Sequence, residues 1–239
     1  MNARSRSRSR PARRASLRAA VAALLSLAAT AARAAPTTYS VRLPPDGLVV
    51  EIPYSLGTHH EHVTAVDGVL RADPETLRVE RGRLTVPLSA FRSDDAKRGC
   101  HLREALGLDY TRSQYPREHV CDDQNRLPAS GPDAIAFPEI AVDLDGGSGA
   151  TGDGAGSAVD VDATLTVHGV PRPLKFRVTV SRDDAAPGLL RVRGRVPVRL
   201  ASHGVQVKPA KVLFASISVG DTVTVVLDVR LEPVRAGGS

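Results

Sequence analysis

The chain has only two cysteines, and each has a histidine close by: Cys100-His101 and His119-Val120-Cys121. Two thiolates and two imidazoles form a donor set suited to tetrahedral zinc. Adjacent Cys and His side chains diverge on helix and strand alike, however, which makes the spacing poor for one shared ion. An even pair of cysteines in an oxidising compartment is most simply a disulfide. Closing so short a loop would stabilise the chain by roughly 3 kcal/mol. Disulfide, zinc ligands and free thiols are the three readings, the disulfide being the simplest. The other histidine cluster is His59-His60-Glu61-His62. On a strand His60 and His62 share a face, and imidazoles two residues apart can chelate a transition metal. With His59 they are metal candidates that lack an obvious third ligand, and a polar loop or rim is the plainer reading.

Nucleophilic chemistry has less support. No G-x-S-x-G elbow occurs. The acidic pairs Asp94-Asp95 and Asp122-Asp123 are adjacent rather than opposed, so they lack the placement that general acid and base need. Without Cys-x-x-Cys-His there is no haem attachment motif. No catalytic residue and no cofactor are assigned, and the expectation is a protein that is not an enzyme. His168 and His203 each precede a glycine, and His168 reads as the end of a strand, bonding across the turn that follows.

The elements that would position these groups are strands. Val161, Ala163, Leu165 and Val167 alternate with Asp160, Asp162, Thr164 and Thr166. After His168-Gly169-Val170-Pro171-Arg172-Pro173 the alternation resumes with Leu174, Phe176, Val178 and Val180. A period of two places one set on a dry face and the other in water, and the Gly/Pro punctuation predicts a hairpin. Prolines can begin or end a strand but do not sit inside a central one. Further strands are expected over 39–43, 48–54, 63–70, 77–88, 135–144, 190–200, 212–217 and 222–231. The exception is 93–108, where Ser93 can cap a helix with Asp94 and Asp95 in its first turn and Gly99 weakening its middle. Strands at short spacing with one helical interruption predict an all-β, antiparallel barrel, with a sandwich as the alternative. Residues 109–132 read as turns, 146–157 as a flexible glycine-rich loop, and 235–239 as a disordered tail.

Residues 1–34 read as an export signal. Eight arginines and no acidic residue precede or flank the apolar run Ala19 to Ala32, which ends in Ala32-Arg33-Ala34. Arg13-Arg14 loosely resembles a twin-arginine signal, and Sec export stays equally open. The apolar run is shorter than the roughly 20 residues a membrane span needs. No cysteine follows the cleavage site, so no stable membrane anchor is expected. Taking those eight arginines from the 32 basic residues leaves 24 against 26 acidic ones, a net of −2. The high pI therefore belongs to the leader, and nucleic-acid binding loses its support. A periplasmic or secreted location follows.

The run Leu165 to Val178, LTVHGVPRPLKFRV, resembles the G-x-L-T-I-H-G-V-T-R-P-V hairpin of the YceI-like family of periplasmic lipid-binding proteins. Val63 to Leu70 is similar to the family's h-x-V-x-G-x-F strand. Leu88-Ser-Ala-Phe91 through His101-Leu102 resembles its strand into R-D-x-H-L, and Gly220 to Val225 its G-D-x-V-x-I end. The resemblance covers most of 39–232. Two insertions interrupt it, about 109–132 and 146–157, and aromatic residues are few. It implies a lipocalin-like barrel with a short helix near one mouth and a polyisoprenoid or similar lipid in the lumen.

On that reading Leu165, Val167, Leu174, Phe176, Val178 and Val180, with Val225, Leu227 and Val229 on the closing strand, line the lumen. His101 and Arg103 at the mouth would orient a head group. The expected partner is a hydrophobic small molecule, an isoprenoid or fatty-acyl lipid, and a homodimer stays open. Two other readings remain: a metal- or redox-linked stress protein, and a ligand-free structural barrel whose interior is filled by side chains.

Overall fold

Alternating aliphatic and polar residues make the strands, and hydrogen-bonding partners on both sides make them a barrel. The computed structural model describes residues 35–148, 156–183, 186, 188–212 and 215–234. The expected export signal, residues 149–155 of the glycine-rich loop and the tail from 235 lie outside the described residues. The strands are β1 Thr37–Arg42, β2 Leu48–Tyr54, β3 Gly57–Val63, β4 Asp67–Ala72, β5 Val79–Pro87, β6 Phe91–Ser93, β7 Glu139–Gly147, β8 Ser157–Val167, β9 Val170–Arg182, β10 Leu190–Arg199, β11 Ala210–Val212, β12 Ala215–Ile217 and β13 Thr222–Pro233. One α-helix, α1, spans Ala96–Gly107.

Eight strands close a ring in the order β1-β4-β5-β7-β8-β9-β10-β13, with β13 pairing back onto β1. Three further strands of the same sheet, β2, β3 and β6, extend this ring, while β11 and β12 pair only with each other. Both β1 and β2 run antiparallel to β13, β1 against Arg230–Pro233 and β2 against Thr224–Leu227. They are one long strand broken at Leu43–Gly47. In the same way β3 continues into β4 and β5 into β6, because β3 pairs with β2 and β6 while β4 pairs with β1 and β5. Counted this way, the barrel is an eight-stranded antiparallel meander in simple chain order.

Each of the three breaks shifts the inward-facing set by one residue. The inner wall passes from Leu43 to Leu48, from Val63 to Val66, and from Val86 to Phe91, changing parity each time. The residues of each break lie outside the ladders, and a one-residue change of phase re-aims every side chain beyond it. The breaks are bonded in place. Asp228 donates its amide to the Gly47 carbonyl at 2.7 Å, and Thr64 donates both its amide and its hydroxyl to the Ala90 carbonyl.

The expected hairpin is β8–β9, in register from Ser157↔Val180 to Val167↔Val170. Its loop is only His168-Gly169, both at positive φ (52° and 72°), the two-residue turn that matches strand twist. A Cβ on Gly169 would lie 2.6 Å from Phe137 Cε1, so glycine is required there. Pro171 and Pro173 lie within β9, not ahead of it. They are tolerated because the β9–β10 ladder covers only Val178–Arg182, leaving this half of β9 bonded to β8 alone. Pro197 on β10 removes another donor from the same unbonded stretch.

Four local expectations change. The expected strand 63–70 is divided, β3 ending at Val63 and β4 beginning at Asp67. Asp95, not Ser93, caps α1: its Oδ1 accepts from the Lys97 and Arg98 amides at 2.8 and 3.2 Å, while Ser93 ends β6. Gly99 does not split the helix, which is continuous. The stretch 212–217 is two short paired strands, β11 and β12, rather than one. After α1 the chain leaves through Leu108 and returns past Gly107, whose carbonyl accepts from the Ala136 and Phe137 amides. A Cβ on Gly107 would sit 2.9 Å from Leu88 Cδ1, so a bare backbone lets the helix end approach the barrel wall. Leu106 and Leu108 belong with Val63, Phe91, Val167, Val198 and Val223 to one buried cluster, and Tyr39, Leu70, Val159, Leu190 and Leu231 to another.

Candidate functional site

Between those two clusters the barrel encloses a cavity of about 250 Å³. Every side chain that lines it is aliphatic or phenylalanine. The alternation of each strand produces this: cross-strand pairs on the outer face are ionic instead, such as Arg177 with Asp160 at 2.6 Å and Arg83 with Asp143 at 2.9 Å. Those exposed pairs contribute little stability.

Of the residues expected in the lumen, Leu165, Leu174, Phe176, Val178, Val180, Val225, Leu227 and Val229 line the cavity. Val167 does not. It is buried one step nearer the hairpin turn, in the cluster that includes Leu106 and Leu108 of the helix end. The broken strands add Leu43, Leu48, Val50, Val63 and Val66 to the wall, which sequence reasoning did not single out. Their signal was the alternation within each short strand, but the parity change at each break hides that the pieces share one wall.

His101 and Arg103 do not line the cavity. Arg103 donates to the Asn125 carbonyl at 3.4 Å. His101 belongs to a group centred on Glu104, which is fully buried. Glu104 Oε2 accepts from Nδ1 of both His101 and His119 at 2.8 Å, and Oε1 accepts from the Val120 and Cys121 amides at 2.6 and 3.0 Å. Burial alone would raise this carboxyl's pKa, but the four donors outweigh it and hold the pKa at about 2. Burial lowers the pKa of His119, against the pull of Glu104. A disulfide joins Cys100 to Cys121 beside this group. The zinc set proposed from the two Cys-His pairs is thereby dissolved, since both sulfurs are spent on each other. His101, Glu104 and His119 do bring three donor atoms within 4.8 Å. Each carboxylate oxygen already has two hydrogen-bond donors, so the arrangement is that of a structural tie between α1 and the segment after it.

The other histidines separate. His60 is exposed on the outer face of β3, and His62 Nδ1 meets Asp46 Oδ1 at 2.8 Å. His59 lies on the inner face with Glu61, so the three candidate ligands do not converge. His59 Nε2 is 2.7 Å from Glu61 Oε1 and 3.0 Å from Ser93 Oγ, while Arg98 Nη1 lies 3.3 Å from Nδ1. A guanidinium can only donate, so Nδ1 is the acceptor and Nε2 carries the proton. Hydroxyl and carboxylate meet the same ring nitrogen. The relay of a serine nucleophile needs them on opposite nitrogens.

His168 is placed with Tyr110 and Phe137, ring centroids 4.2 and 4.6 Å away. His203 Nδ1 bonds the Val170 carbonyl at 2.8 Å. Both act in holding loops to the barrel. Among the described residues no helix is long and apolar enough to cross a membrane.

Solved structures show the same fold. A polyisoprenoid-binding domain from Saccharophagus degradans, implicated in plant cell wall breakdown, aligns with 13% identity and a TM-score of 0.50, over 84% of this chain and all of its own. BcnA of Burkholderia cenocepacia aligns with 12% identity and a TM-score of 0.51, over 80% of this chain and 98% of its own. No curated protein sequence matches. The family model described as the YceI-like domain matches residues 53–231, from the end of β2 into β13, and the chain belongs to that family.

Proposed function

We propose that this protein is exported and binds a hydrophobic molecule, an isoprenoid or fatty-acyl chain, inside the barrel, acting by binding alone without catalysis. The observation that carries this is the cavity: about 250 Å³ with no polar side chain in its wall. An apolar cavity of roughly 150 Å³ takes up benzene and stays free of water. A larger one of the same character suits an aliphatic chain, and each methylene moved there from water contributes about 0.8 kcal/mol. The volume is below the roughly 300 Å³ at which drug-sized ligands are usually housed, so a single slender chain fits better than a bulky ring system. The S. degradans neighbour, by its description a polyisoprenoid binder, supports the same ligand class. Export is supported by the basic, apolar, Ala-x-Ala pattern of residues 1–34.

The test is organic extraction and mass spectrometry of the protein isolated from its native host, with uptake of long-chain fluorescent probes by the extracted protein. A stoichiometric apolar molecule, or saturable uptake, is expected. Neither extractable lipid nor uptake overturns the proposal.

A further inference from the structure

We propose that the ligand's polar end is a hydrogen-bond donor without negative charge, such as an alcohol or primary amide, and that Glu61 receives it. This rests on the lumen reading above and specifies its chemistry.

Glu61 is only 1% exposed. Its Oε1 accepts from His59, but its Oε2 has no partner among the described residues. A buried carboxylate oxygen left unpaired is unfavourable, and native proteins rarely keep one without a reason. Its position supplies the reason. Glu61 stands directly across from Val50 in the β2–β3 ladder and two residues before Val63 on the same face. Val50 and Val63 both belong to the cavity wall, as does Phe91 opposite Val63. Glu61, with Ser93 across from it in β6, thus continues the inward-facing rows of the wall one step beyond the apolar lining. A chain lying along the cavity would present its head there.

The local chemistry selects the head. The unpaired oxygen of an ionised carboxylate can only accept, so the head that pairs with it must donate. A phosphate or carboxylate would bring negative charge against Glu61 in a site of low dielectric, where like charges repel strongly. The cation of the group, Arg98, does not relieve this. Its guanidinium meets His59 at the opposite ring nitrogen from the one that faces Glu61, and it is 53% exposed. His59 in turn presents its one proton to Glu61 Oε1 and Ser93 Oγ.

Three probes with one ten-carbon skeleton test this on the delipidated protein: geraniol, geranyl phosphate, and the hydrocarbon myrcene, each displacing a fluorescent apolar probe. Geraniol should bind at least about tenfold more tightly than either other probe, the ratio that one hydrogen bond to a charged group supplies. Glu61→Gln, close in shape, should narrow the geraniol-to-phosphate ratio, and Glu61→Leu should bring geraniol down to myrcene. Circular dichroism confirms that each variant keeps its strand signal, and the wild-type ratios stand independently of the variants. Equal binding of all three probes, or tighter binding of the phosphate, overturns the inference while leaving the lumen reading intact. Failure of even myrcene to bind overturns the lumen reading and this inference with it.

Discussion

His168 Nε2 lies 2.7 Å from the carbonyl oxygen of Leu108, so the tip of the β8–β9 hairpin is tied to the residue that ends α1. The ring also stacks on Tyr110, and the residue holds a positive φ that most side chains avoid. One histidine thereby joins the β8–β9 hairpin to the end of α1 and the segment that follows it.

His168→Ala should therefore destabilise the fold by about 1–3 kcal/mol, from the lost bond, the lost stacking and the strained backbone. His168→Asn, better suited to positive φ, should recover part of this. Urea unfolding midpoints measure both. A midpoint unchanged in the alanine variant would remove the tie.

Glu104 makes stability depend on acid. Its folded pKa of about 2 lies below the ordinary 4.5, so its contribution is complete above 4.5 and is lost as pH falls from there to about 2. A shift of this size corresponds to about 3 kcal/mol at neutral pH. His119, lowered by burial, works in the same direction: charging it as pH drops below the ordinary 6.5 is opposed in the folded state. Glu104→Gln places an amide against four donors. It should lower neutral-pH stability by about 2–3 kcal/mol and flatten the acid limb of the stability–pH curve. Urea denaturation at a series of pH values decides it, and an equally steep acid limb in the variant would count against this assignment.

The disulfide closes the loop from Cys100 to Cys121 and carries His101 and His119 toward Glu104. Thiol titration of the unfolded, unreduced protein should find none, and two after reduction. Reduction should lower stability by about 3 kcal/mol.

How far the residues alone revealed this structure depends on whether the information was local. The β8–β9 hairpin was legible because each strand alternates over eight residues, Asp160–Val167 and Leu174–Ser181, and the turn is His-Gly. The closing strand β13 was legible for the same reason. The shared wall of β1 with β2, β3 with β4 and β5 with β6 was not, because a one-residue change of phase at each break can be seen only once the partner strands are known. Glu61 was hidden too. Within His59-His60-Glu61-His62 the eye falls on the imidazoles, and only the register, placing Glu61 opposite Val50, shows that the carboxylate faces inward. Glu104 gave still less warning: its donors come from His119, Val120 and Cys121, in a segment without periodicity.

Val225 faces the lumen from the closing strand without being tightly buried. Val225→Phe should fill part of the cavity and reduce uptake of a fluorescent long-chain probe about tenfold or more. Unfolding should show a stability change within about 1–3 kcal/mol, the usual range for an added ring in a packed interior. Undiminished uptake would place the probe outside the barrel.

The most direct test of the lumen as a binding site is native mass spectrometry of the protein from its own host, before and after organic extraction, alongside Val225→Phe. One apolar molecule per wild-type chain, removed by extraction and depleted in the variant, is the expected result. A wild-type chain that carries no added mass and takes up no chain offered to it would contradict a ligand in the lumen.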